Sequence, residues 1–151
     1  MLVGGFLSLY EQVKRINEAE YTINRLIYKH YKQYLNSGIT TQQAVVLDIV
    51  YLSKRITVGE IAIEMNISSS AVSQLIAKLE KNNYIKREIN LQNRREVFIT
   101  LAENGLEYFS KQDYVERQIA DKIYCKLSSD ELDELERIVE KLKEISMKEL
   151  L

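Results

Sequence analysis

The stretch from Thr57 to Leu101 most constrains what this chain can fold into. Thr57-Val58-Gly59-Glu60 has the spacing of a capping box, in which each side chain satisfies an orphan backbone donor at a helix start. Behind it, Val58, Ile61, Ala62 and Met65 recur at i, i+3, i+4 and i+7, the period of one helix face. Asn66 interrupts, Ser68 is placed to cap a new helix, and Val72, Leu75, Ile76 and Leu79 repeat the pattern. A short helix, a tight turn and a second amphipathic helix are the layout of a helix-turn-helix. Asn82-Asn83 ends the second helix, and Tyr84 to Ile89 then alternates like a strand. Glu96 to Leu101 alternates again, with Val97, Ile99 and Leu101 on one face. The connection, Asn90 to Arg95, is polar and basic. A β-hairpin directly after a helix-turn-helix is a wing.

The flanking segments read as helices. From Leu7 to Leu35, Leu9, Val13, Ile16, Ile23, Ile27 and Tyr34 recur at helical steps, and Gly38 suits a left-handed C-cap. Thr40 and Gln43 form another capping box, before a helix running to about Leu52 with Val46, Leu47, Ile49 and Val50 inward. A further helix is expected from Ala102 to Lys126, and a last one after the Ser128-x-x-Glu131 box. The absence of Pro and only 5 Gly favour long helices over loop-rich β folds. The expected fold is mainly α, a winged helix-turn-helix at 37–101 continuous with dimerisation helices at 1–36 and 102–151. The outer apolar stripes are wider than a two-helix contact within one small chain requires, so a second copy is the natural cover.

Several function classes drop out. One His and one Cys exclude a Cys/His zinc cluster by counting, and neither a nucleophile elbow nor a phosphate loop motif occurs. His30 lies in a helical polar stretch, so neither a catalytic triad nor a metal site is expected there, and no cofactor is indicated. Nothing argues for an enzyme. No apolar run approaches the ~18 residues that cross a bilayer. The N-terminal MLVGGFLSLYEQ lacks a basic n-region, so no signal peptide is expected. One Cys also argues for a reducing compartment, and the cytoplasm is expected.

The second helix of the helix-turn-helix carries the chemistry. Ser69, Ser70, Ser73, Gln74, Ala77, Lys78 and Lys81 lie opposite its apolar side. Short side chains near its start let the backbone approach another surface. Ser and Gln suit base edges in a major groove, where Gln pairs two-pronged with adenine. No acid occurs between Glu64 and Glu80, so phosphate meets no repulsion there. Between Lys54 and Thr100, eight bases face five acids, a local +3 in a chain of net charge -1. Arg94 and Arg95 after Asn93 suit a narrow minor groove. The candidate DNA-binding residues are Ser68, Ser69, Ser70, Ser73, Gln74, Lys78, Arg87, Asn93, Arg94 and Arg95.

From about Leu7 to Leu150 the chain resembles the MarR (multiple antibiotic resistance regulator) family. Ile67 to Glu80, ISSSAVSQLIAKLE, resembles that family's recognition helix. Asn93-Arg94-Arg95, with Leu101 six residues beyond Arg95, resembles its wing signature. The resemblance implies a winged-helix homodimer, most often a repressor, on a pseudo-palindromic operator of double-stranded DNA. Its recognition helices would enter the major groove and Arg95 the minor groove. Three positions depart from the family pattern. Asn93 replaces an Asp, which weakens any pairing with a wing Arg. Ala102 replaces a Thr and is a poor N-cap, so Thr100-x-x-Glu103 is the alternative start of that helix. Gln74 stands where many members carry Arg, which changes base preference. The resemblance also brings a candidate effector, a small aromatic or phenolic molecule between the dimer helices and the winged helix. Ten Tyr, among them Tyr28, Tyr31 and Tyr34, are available to line such a site, although core packing is the plainer role. Cys125 reads as a core or interface thiol, since no basic cluster surrounds it. The rival from another class is a winged-helix protein-interaction adaptor without DNA binding, for which Arg94 and Arg95 would be dispensable.

Overall fold

The computed structural model describes residues 8–35, 38–89, 93 and 96–150. The order is α1 (Leu9–Leu35), α2 (Thr41–Ser53), β1 (Ile56–Thr57), α3 (Val58–Met65), α4 (Ser69–Lys81), β2 (Ile85–Ile89), β3 (Val97–Leu101), α5 (Glu103–Lys122), a 3-10 turn (Tyr124–Lys126) and α6 (Ser129–Leu150). The chain divides into two compact units, Met1–Gln112 and Asp113–Leu151, and α5 runs through the division. The fold is mainly α with a winged helix-turn-helix, as the patterning predicts.

Local side-chain chemistry starts the helices where it was expected to. Thr40 and Gln43 exchange both bonds of a capping box at α2, as Thr57 and Glu60 do at α3. Ser128 and Glu131 do the same at α6, with bonds of 3.3 and 2.8 Å. The backbone donations of Thr57 and Ser128 hold the Glu60 and Glu131 carboxyls below the usual carboxylate range. Asn66 ends α3 in the left-handed region at φ 53°, where its amide reaches back to α3 carbonyls.

The core of the first unit joins α2, α3 and α4 to the sheet. Val46, Leu47 and Val50 of α2, Ile61 of α3, Val72 and Ile76 of α4 and Ile99 of β3 are all 0% exposed. The sheet has three strands in the order β1-β3-β2, all antiparallel. The expected hairpin is therefore incomplete, because Ile56 and Thr57 add a third strand opposite Ile99 and Phe98. Two residues are too short for alternation to be visible, so β1 exists only through its pairing.

Two expectations fail at α5. Thr100 does not start this helix. It lies in β3, and its hydroxyl donates to Glu88 Oε1 at 3.1 Å across the sheet. The helix begins at Glu103 behind Ala102, and its orphan donors go to the turn after α4 instead. Ala102 N–H donates to the Tyr84 carbonyl at 2.9 Å, and Asn104 N–H to that of Asn83 at 3.0 Å. The Asn104 side-chain amide donates to the Asn82 carbonyl at 2.9 Å. A cap supplied from elsewhere in the chain removes the need for one in the local sequence. The helix also stops at Lys122, short of the expected Lys126, and a 3-10 turn completes the stretch.

This junction leaves no room at Gly105. A Cβ there would overlap the Tyr84 carbonyl oxygen and lie 3.1 Å from Leu101 Cδ2. Gly105→Ala is expected to lower stability by about 1–3 kcal/mol, the usual range for overpacking. Thermal unfolding followed by circular dichroism checks this, and an unchanged midpoint would contradict it.

The outer helices leave their apolar stripes bare. Along α1 only Tyr31 is buried, while Leu9 is 78% and Ile16 57% exposed. No residue of α6 is buried, and Leu142 is 58% exposed. Cys125, expected in a core or interface, is not in a core. Its exposed thiol, in a 3-10 turn with no buried residue, donates to the Asp121 carbonyl of α5 at 2.8 Å. His30 meets the Tyr31 ring edge-on, with centroids 4.7 Å apart.

Candidate nucleic-acid interface

The α4 helix divides cleanly into two faces. Val72, Ile76 and Leu79 are buried in the core, and Leu75 packs against it. The 3.6-residue period then turns Ser69, Ser70, Ser73, Gln74, Ala77, Lys78 and Lys81 to solvent, and all are exposed. Among the described residues, the side chains of Ser69, Ser70, Ser73, Gln74 and Lys78 make no hydrogen bond or ion pair. A row of small hydroxyls and an amide is thus presented on a rigid helix with its donors and acceptors unspent. Ser68 is the N-cap, its hydroxyl oxygen accepting from Ala71 N–H at 3.2 Å, which leaves the hydroxyl proton for an outside partner.

The cations near this face differ in how they are held. Arg87 is tied back to α4, its Nε donating to Glu80 Oε2 at 3.1 Å. Lys86 pairs with Glu88 at 3.1 Å. The hydrogen bonds from Lys86 and from Thr100 keep the Glu88 carboxyl below the usual range. Lys54 sits 4.3 Å over the Tyr51 ring and Arg55 3.9 Å over that of Phe98. Lys78 and Lys81 form no ion pair among the described residues. Lys78 and Lys81 thus stand on α4 as uncompensated cations among the described residues, while the acid of that helix, Glu80, is paired with Arg87.

Of the remaining candidates, Asn93 lies between the strands, its carbonyl accepting from Glu96 N–H at 2.9 Å. Arg94 and Arg95 lie outside the described residues. The strands beside them pair in the register Ile89↔Val97, Arg87↔Ile99 and Ile85↔Leu101, which puts Ile85, Ile99 and Leu101 on the core side.

A hollow of about 280 Å³ lies in the first unit. It is lined by Gln33 and Tyr34 of α1, by Tyr84, and by Asn104, Glu107, Tyr108 and Lys111 of α5. Burial first, then the nearby Asp48 charge, push the Tyr108 phenol above its ordinary pKa. Of the three tyrosines singled out in the sequence, Tyr34 reaches this hollow, Tyr31 is buried and Tyr28 is exposed. Sequence reasoning missed Asn104. The signal was the poor cap at Ala102, which raises the question of where the α5 donors go.

Comparison with known proteins places this geometry. A model of the MarR family matches residues 39–97. The chain is 30% identical over 97 residues to the uncharacterized HTH-type transcriptional regulator YwhA of Bacillus subtilis, covering 64% of this chain and 70% of YwhA. It is 28% identical over 135 residues to the HTH-type transcriptional regulator MgrA of Staphylococcus aureus, covering 89% of this chain and 84% of MgrA. Among solved structures, a mutant of S. aureus MepR bound to an oligodeoxyribonucleotide superposes with a TM-score of 0.59 at 20% identity. That match covers 85% of this chain and 96% of the MepR chain.

Proposed function

This chain belongs to the MarR family of DNA-binding transcriptional regulators, and on that premise we propose that it is a homodimeric repressor reading a pseudo-palindromic operator through α4. The observation that carries this reading is the exposed face of α4, polar, acid-free and without partners among the described residues, on a helix whose other side is in the core. MepR, of similar fold, binds DNA. Ser70, Ser73 and Gln74 are assigned to base edges, and Ser68, Ser69, Lys78 and Arg87 to the backbone beside them. Asn93, Arg94 and Arg95 are assigned to the wing contact.

The bare stripes of α1 and α6 support the homodimer. Exposed apolar surface on this scale is uncommon on a monomer. A two-fold dimer would set its recognition helices about one DNA turn apart. The tyrosine-lined hollow between α1 and α5 supports a small aromatic or phenolic effector, since it combines aromatic walls with amide, carboxylate and ammonium groups. No described helix is long and apolar enough to cross a membrane, and a DNA-reading role places the protein in the cytoplasm.

The test is binding to duplex DNA across a series of salt concentrations. The affinity should fall linearly on a log–log plot, with a slope of about -0.9 per phosphate neutralised. An adaptor that does not use DNA shows no such binding. Within the site, Gln74→Ala should cost about 1–3 kcal/mol on the operator and little on random DNA, as for a lost two-pronged base contact. Equal losses on both would remove Gln74 from base reading.

A further inference from the structure

We infer that Asn104, at the start of α5, is a positioning residue that sets the orientation of the recognition helix α4 for base reading. The inference rests on the reading of α4 given above. The end of α4 is a turn with Asn83 in the left-handed region at φ 56°. There Tyr84 N–H reaches back to the Leu79 carbonyl at 2.9 Å and Asn83 N–H to that of Glu80 at 3.0 Å. These bonds satisfy the Leu79 and Glu80 carbonyls in the last helical turn. They also turn the next three carbonyls, of Asn82, Asn83 and Tyr84, towards α5. All three are taken by α5 and its N-cap residue: Asn82 by the Asn104 side chain at 2.9 Å, Asn83 by Asn104 N–H, and Tyr84 by Ala102 N–H. Asn82 in turn donates its side-chain amide to the Lys78 carbonyl at 2.9 Å, inside α4. The chain of bonds therefore runs from α5 through Asn104 and Asn82 into the body of α4. Gly105 allows little slack in it, because even a Cβ there would overlap the Tyr84 carbonyl oxygen.

Of the three bonds that α5 and Ala102 make to this turn, the Asn104 side-chain bond is the one that can be removed without touching the backbone, and Asn104 itself is exposed. Base readout needs its side chains held to within roughly half an ångström. Phosphate attraction is tolerant of such shifts. Loosening α4 at this end should therefore weaken sequence-specific binding and spare non-specific binding.

The experiment uses the full chain and two duplexes. One is enriched from a random-sequence library by the wild-type protein, and the other is a scrambled duplex of the same length and composition. Affinities for both are measured at one salt concentration, with thermal midpoints recorded. Asn104→Asp cannot donate to Asn82, yet a carboxylate near a helix start favours the helix. Asn104→Ala removes the bond without adding charge. Both should lose about fivefold in the selected-to-scrambled affinity ratio, the size of one net hydrogen bond, with little change in midpoint. Equal losses on both duplexes, or losses that follow a lowered midpoint, mark a merely structural residue and overturn the inference. Gln74→Ala, measured alongside, separates the two ideas. If it lowers the ratio while the Asn104 variants leave it intact, the positioning role alone is overturned. A wild-type protein that binds both duplexes alike overturns the reading of α4, and this inference with it.

Discussion

A chain ended after Leu127 is expected to sediment as a monomer and to lose tight operator binding, while the intact protein runs at twice its 17.7 kDa chain mass at micromolar concentration. The truncation removes α6 and with it Leu135, Ile138, Val139, Leu142 and Ile145, each at least 40% exposed. Those residues follow the helical repeat and form one stripe. The core cluster of the winged helix lies wholly between Val46 and Ile99, so the cut deletes none of it. The shortened chain should therefore keep a cooperative melt. What it loses is the proposed partner contact that lets two recognition helices bind at once. A single α4 then has only its own half-site, and affinity should fall by on the order of 10³ or more, towards non-specific binding. Sedimentation and operator titration of both proteins check this. A stable 17.7 kDa species for the intact chain would refute the dimer.

The double Arg94→Ala, Arg95→Ala protein should keep its thermal midpoint and its mass but bind operator DNA weakly. The wing members of the core are Ile85 and Ile99, with Leu101 packed against them, and the double substitution changes none of these. Surface substitutions of this kind usually stay within about ±0.5 kcal/mol of stability. If the wing meets DNA, the two cations release counterions on binding. Each lost phosphate contact flattens the log-affinity against log-salt slope by roughly 0.9. The slope should be shallower by about two per protomer if both reach the backbone, and by less if Arg95 sits in the minor groove. Titrations at several salt concentrations measure it. Unchanged affinity and slope would take the wing out of the mechanism and favour the adaptor.

The α4 face was legible in the sequence because a single period decides it. Once Val72, Ile76 and Leu79 are inward, Ser70, Ser73 and Gln74 must be outward, whatever the rest of the chain does. The commitments of the cations were not legible. Arg87 meets Glu80 across two elements, and Arg55 finds the Phe98 ring only because β1 pairs with β3. Composition gives the local +3, but only three-dimensional proximity separates the cations already engaged from Lys78 and Lys81.

By itself, the sequence determined the features that close within a few residues. The capping boxes at Thr40, Thr57 and Ser128 form as spelled, and the left-handed Asn66 ends α3 where the apolar pattern breaks. These depend on side chains three or four positions apart, and local geometry alone brings them together. Only the tertiary structure decided the rest. It made a strand of Ile56-Thr57, kept Thr100 in the sheet, and capped α5 with the carbonyls of a turn some twenty residues earlier. The physical reason is common to all three. An orphan backbone group accepts any partner that the fold brings within reach, and a partner distant in the chain leaves no spacing to read.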